Sequence, residues 1–89
     1  MQVDESVSKE ITNRLRRVQG QIGGIIAMIE DGRNCSDIVT QLAAAEKALS
    51  RAGFKIVASG LQQCQDAELR GEVPAMTRDQ LEKLFLSLS

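Results

Sequence analysis

From Asn34 to Cys64 the chain carries one long helical pattern with no proline in it, and this stretch constrains the fold more than any other. Ile38, Leu42, Ala45, Leu49, Ala52 and Ile56 recur at steps of four and three. Val39, Phe54, Val57 and Leu61 widen that apolar row beyond what one neighbouring helix covers. The only two cysteines, Cys35 and Cys64, stand near its two ends. In a straight helix at ~1.5 Å per residue they lie roughly 43 Å apart, so they cannot meet within one chain. At ~100° per residue their directions differ by only about 20°, so both project from nearly the same face. A second copy lying antiparallel, with a twofold axis near Leu49 and Ser50, brings Cys35 of one protomer beside Cys64 of its partner. A thiol pair shared between subunits is the expectation that geometry sets.

The 89 residues predict one small domain over 1–89. A chain this short buries a limited core alone, which favours a multimer. With no Trp or Tyr, two Phe and one Pro, its apolar content is mostly Ile, Leu, Val and Ala at helical spacing, and the expected class is all-α. The formal net charge is −1, so any nucleic-acid contact has to come from a local basic patch. Two cysteines without a secretory leader, an apolar run of spanning length or a lipidation motif point to a cytoplasmic protein with reduced thiols and no membrane partner. Histidine is absent, which handicaps a zinc, nickel or cobalt site. No cofactor is expected, and no Gly-rich phosphate loop follows a strand pattern.

Three helices are expected, at about 6–31, 35–68 and 77–88. In the first, Ile11, Leu15, Val18, Ile22, Ile25 and Ile29 form a coiled-coil-like seam. Ser6 or Ser8 is expected to cap it, and Asp31-Gly32 to end it. Gly20, Gly23 and Gly24 each weaken it by ~1 kcal/mol relative to Ala, with close approach of another helix as the expected reason. Asn34 caps the second helix, with Asp37 near its positive end. Gly53 and Gly60 lie near the cysteine stripe, where small residues let a symmetry-related helix come close. Gly71 to Pro74 interrupts the pattern. Thr77 and Gln80 then form a capping box, with Met76 and Leu81 as a staple, and Leu81, Leu84, Phe85 and Leu88 give the third helix one apolar face.

Two constellations carry chemistry. Between residues 9 and 17, Lys9, Arg14, Arg16 and Arg17 oppose Glu10 alone, and Arg51, with Lys47 and Lys55 one turn to either side, extends the basic surface in the second helix. Such arginines bind phosphate or make a solvated helix face. Cys35, in the first turn of its helix, has its thiolate stabilised by unpaired amides and the helix dipole, which makes it the attacking thiol and Cys64 the resolving one. The plainer alternative is two small buried hydrophobes.

The run R-L-R-R-V-Q-G-Q-I-G-G-I from Arg14 to Ile25, then C-S-D-I-V-T-Q-L-A-A from Cys35 to Ala44, then Cys64, resembles the CsoR/RcnR family of bacterial transcriptional repressors over nearly the whole chain. That resemblance implies an antiparallel dimer with a four-helix-bundle core, a dimer of dimers (homotetramer), and operator DNA bound without a helix-turn-helix. It assigns operator binding to Arg14, Arg17 and Arg51, with Arg16 beside them. Copper-sensing members have histidine four residues before the second cysteine, where this chain has Gly60. Asn34 and Gln80 stand where those members commonly have tyrosine and glutamate. Nickel and cobalt sensors depend on several histidines, and formaldehyde sensors have a proline after the initiator Met where this chain has Gln2. The site chemistry is most similar to the CstR-like persulfide sensors. On that resemblance Cys35 takes sulfur from a persulfide or polysulfide, Cys64 of the partner resolves it as a di-, tri- or tetrasulfide, and the operator is released. The alternative within the family is a Cu(I)-responsive repressor using Cys35 and Cys64 as metal ligands. From another class, a thiol oxidoreductase or sulfur carrier has the same cysteines but lacks a C-x-x-C motif. No enzymatic activity is expected.

Overall fold

The structure, a computed structural model, describes residues 2–88. Its elements are α1 (Glu5–Glu30), α2 (Cys35–Leu69) and α3 (Arg78–Ser87), and no strand occurs among the described residues. The all-α expectation holds, with boundaries one residue from those expected at most helix ends.

Local signals explain where the helices stop. Asp37 N–H donates to Asn34 Oδ1 at 3.0 Å, capping α2 as expected. Thr77 and Gln80 exchange bonds of 2.9 and 3.1 Å, a complete capping box for α3. α1 departs from expectation: neither Ser6 nor Ser8 caps it, because the helix already starts at Glu5, and Asp4 at the cap position makes no side-chain bond to the helix. Gly32 and Gly71, both at φ 71°, terminate α1 and α2. At each, the next residue's N–H reaches back to Met28 O (3.0 Å) or Ala67 O (2.8 Å), satisfying carbonyls that a helix end otherwise leaves bare.

The short turn after Gly32 folds α2 back along α1. Gln63 Nε2 donates to Gln2 O at 3.0 Å, Lys55 Nζ meets Glu10 at 2.9 Å, and Val18, Ile25 and Ala45 form a buried cluster with Ile38 and Ala48 against it. These contacts set one antiparallel register, in which Arg14 and Arg51 lie at the same level. α3 then returns antiparallel on the outer side of α2. Leu81 is fully buried, and Phe85 stacks on Phe54 at 5.1 Å between ring centroids.

The α1 seam is only half used. Ile11, Val18 and Ile25, seven residues apart, are buried, whereas Leu15, Ile22 and Ile29 between them are 42–58 % exposed. The shape gives the reason. The Cα extents are 58 × 24 × 12 Å, a single layer of helices that can bury apolar side chains only along its internal seams. The radius of gyration is 17.0 Å, against roughly 12 Å for a compact domain of this length. The accessible surface is 6563 Å², about 1,400 Å² above the scaling expected for a folded monomer of this mass.

At ~100° per residue, the Glu10 to Lys55 contact fixes which flank is which. Glu10, Arg14 and Arg17 of α1 lie to the same side of the hairpin as Lys55 and Arg51 of α2. Leu15, Ile22 and Ile26 lie to the other, with Leu42, Leu49, Cys35 and Gly53. The glycines differ from expectation. A Cβ on Gly53 would stand 2.9 Å from Leu88 Cδ1, so the close approach there is by α3 of the same chain. Among the described residues, nothing beyond the helix's own adjoining backbone lies within 4 Å of such an atom on Gly20, Gly23 or Gly24.

Candidate functional site

Both cysteines are free thiols in one unbroken helix. At the helical rise their Cα atoms are ~43 Å apart along the axis, so the chain does not bring them together. Their surroundings differ. Cys35 is exposed in the first turn of α2, behind the Asn34 cap. Cys64 is buried, because the α2–α3 connection and the first turn of α3 fold over it. Its Sγ–H donates to Glu68 Oε1 at 3.5 Å, while Glu68 Oε2 binds Arg78 Nη2 at 2.9 Å. Burial pushes the Cys64 thiol above its ordinary range, the Glu68 carboxylate adds to that, and Arg78 opposes it. The Arg78 hydrogen bond in turn holds Glu68 below the usual carboxylate range. A thiol kept protonated is a poor nucleophile.

Glu68 and Arg78 were not legible as site residues. Glu68 stands one helical turn after Cys64, a spacing that hints at contact, but Arg78 arrives only by the return of α3.

Among the described residues no group of three or more His, Cys, Asp or Glu is placed to hold a metal ion. One turn before Cys64 stands Gly60, which offers no donor. The thiols would therefore supply two soft donors from two chains, which Cu(I) accepts, and the donor beside Cys64, the Glu68 carboxylate, is a hard oxygen that Cu(I) disfavours.

The basic residues divide. Glu10 binds both Lys55 (2.9 Å) and Arg14 (3.3 Å), and Lys55 first, then Arg14, hold its carboxyl below the usual range. Arg14 is thus half-buried and partly neutralised, and its Nε has no hydrogen-bond partner. Arg17 and Arg51 are exposed on the same flank, and Arg16 is exposed about 100° around α1 from Arg17, with Lys9. No ion pair to Arg16, Arg17 or Arg51 occurs among the described residues. The apolar and basic flanks are thus opposite sides of one layer, so a partner chain can cover the first without touching the second. No helix among the described residues is long and apolar enough to cross a membrane.

The chain is 36 % identical to the copper-sensing transcriptional repressor CsoR of Bacillus subtilis (strain 168) over 55 residues, covering 62 % of this chain and 54 % of that protein. It is 41 % identical to the copper-sensing transcriptional repressor RicR of Mycobacterium tuberculosis over 51 residues, 57 % of this chain and 53 % of that one. CsoR of Mycobacterium bovis (strain BCG / Pasteur 1173P2) is 34 % identical over 65 residues, 65 % of this chain and 55 % of the relative. The chain thus spans about half the length of these curated relatives. No solved structure matches it significantly. The family model of metal-sensitive transcriptional repressors matches residues 7–87. With that match running from the first turn of α1 to the end of α3, the chain belongs to the metal-sensitive transcriptional repressor family.

Proposed function

We propose that the chain represses transcription as an antiparallel dimer, pairing further into a tetramer, that binds operator DNA through Arg14, Arg17 and Arg51, with Arg16 at its margin. Its sensor is Cys35 of one protomer with Cys64 of its partner. One observation carries this reading: a single unbroken α2 carries both thiols toward the flank where half of the α1 seam is left uncovered, Cys35 open there and Cys64 beneath the α2–α3 connection. Covering that flank with a second α1–α2 hairpin, turned by a twofold axis near Leu49 and Ser50, buries the seam and brings the thiols together.

The inducer we infer is a sulfane-sulfur species. The Cys35 thiolate attacks the outer sulfur of a persulfide R–S–SH, forming Cys35–S–SH and releasing R–S⁻. The Cys64 thiolate of the partner then attacks the Cys35-bound sulfur, forming the inter-subunit disulfide and releasing HS⁻. Longer donors leave tri- or tetrasulfides. The absence of histidine and the lack of a third donor at Gly60 support this reading.

Cu(I) is the second reading, favoured by the names of the relatives, which are copper-sensing repressors. It uses the same two thiolates.

One experiment separates them. Treated with a sulfane-sulfur donor, the protein should give a covalent dimer on a denaturing, non-reducing gel, reversed by reductant and linked between Cys35 and Cys64 of different chains by mass spectrometry. Cys64→Ala should stop at a persulfide on Cys35, and operator release should accompany only the wild-type bridge. Cu(I) should be stripped by a strong chelator without releasing the operator. Copper retained at one per protomer with full operator release would establish the second reading, and a Cys35 to Cys64 link within one chain would refute both.

A further inference from the structure

Cys64 is 2 % exposed although it projects from nearly the same face of α2 as the open Cys35. What differs is the chain folded over it. A cavity of about 450 Å³ beside Cys64 runs along the α2–α3 connection to Pro74 and Met76. A second, of about 290 Å³, lies between Cys64, Glu68, Pro74, Thr77 and Arg78. Space for a small reagent therefore exists beside the sulfur, and the first turn of α3 stands over it. The helix is anchored beyond its first three residues, by buried Leu81, by Phe85 on Phe54 and by Leu88, just past its end, on Gly53. Its first residue, Arg78, is tied to α2 by the Glu68 carboxylate, which binds the thiol through Oε1 and Arg78 through Oε2.

We propose that the Glu68–Arg78 ion pair latches the first turn of α3 over Cys64, making that turn a lid that limits access to the thiol. Glu68 and Arg78 are then positioning residues for the sensing reaction. The latch itself is independent of that reaction, and only its use rests on the preceding reading. Both partners are about half exposed, so the pair is weak and salt-sensitive, as a lid that must open requires. The Thr77–Gln80 capping box keeps that turn helical, so losing the pair lets its Thr77–Arg78 end swing off α2 while Leu81, the fourth residue of the helix, stays seated.

The test is the rate at which iodoacetamide labels each thiol of the reduced, full-length protein, resolved by mass spectrometry, with neither inducer nor DNA present. Arg78→Ala should label Cys64 about two- to five-fold faster, the range expected for loss of one exposed ion pair, with Cys35 unchanged. Removing a cation beside a thiol disfavours its thiolate, so acceleration reads access and not acidity. Arg78→Lys should stay near the wild-type rate. Added salt should accelerate Cys64 of the wild type and leave Arg78→Ala unaffected. An unchanged or slower Cys64 in Arg78→Ala, or Arg78→Lys as fast as Ala, overturns the latch. Should Arg78→Ala fail to fold by circular dichroism, the wild-type salt series decides: labelling of Cys64 that does not rise relative to Cys35 overturns it. Because the readout uses no inducer and no operator, its failure is distinct from failure of the sensing reading.

Discussion

Replacing Leu49 with Ala tests the covered flank most directly, because the twofold inferred from the cysteine positions passes beside it. Leu49 is 45 % exposed in the single chain. That fraction of a leucine is roughly 80 Å², and at ~25 cal/mol/Å² its burial by a partner, less what alanine retains, is worth about 1–2 kcal/mol. A twofold axis counts the change twice, giving ~2–4 kcal/mol per dimer, or roughly 30- to 1,000-fold in the dissociation constant. Helix content should not fall, since alanine is the better helix former. The assay is sedimentation velocity over a dilution series, with circular dichroism as the control for folding. Leu69→Ala is the matched comparison: Leu69 is 79 % exposed at the end of α2, on the flank of Arg51, and should leave association unchanged. An unaltered dissociation constant for Leu49→Ala, or equal weakening by both variants, would refute the twofold placement.

Arg17→Ala and Arg51→Ala should each weaken operator binding and flatten its dependence on salt, by a slope of ~0.9 per lost phosphate contact in every protomer engaged; fluorescence anisotropy at several salt concentrations reads both. Glu10→Gln should do the reverse, because the carboxylate that binds Arg14 and Lys55 loses its charge, and DNA affinity that does not rise would mean those two cations take no part. Glu10 is held below the usual carboxylate range, so its contribution to stability is complete above that range and is lost as pH falls through the lowered value. Wild type should accordingly lose more stability than Glu10→Gln between neutral and acid pH in urea titrations. Gly24→Ala, with open space around it, should stabilise the fold by ~0.5–1 kcal/mol unless another chain packs there. Gly53→Ala should gain less than Gly24→Ala and speed amide exchange in the last turn of α3, since its new methyl displaces Leu88.

The sequence by itself determined the helices and, the start of α1 apart, how they end, because those depend on interactions within a few residues. Asn34, Thr77 with Gln80, and the glycines at 32 and 71 act over one turn, and each is found in its expected part. It also determined that Cys35 and Cys64 cannot meet in one chain, since the rise of an unbroken helix fixes that distance. Only the tertiary structure decided which members of the α1 seam are buried. Ile11 and Leu15 look equivalent in the sequence, and the choice between them follows from the side on which α2 docks. The same holds for Gly53, whose neighbour is Leu88 just past α3, and for Arg14, whose partner Glu10 also holds Lys55 from across the hairpin. Cys64 is the sharpest case. Helix geometry gives its direction, but its burial and its link through Glu68 to Arg78 arise from residues brought back by a turn, and no spacing along one helix encodes them.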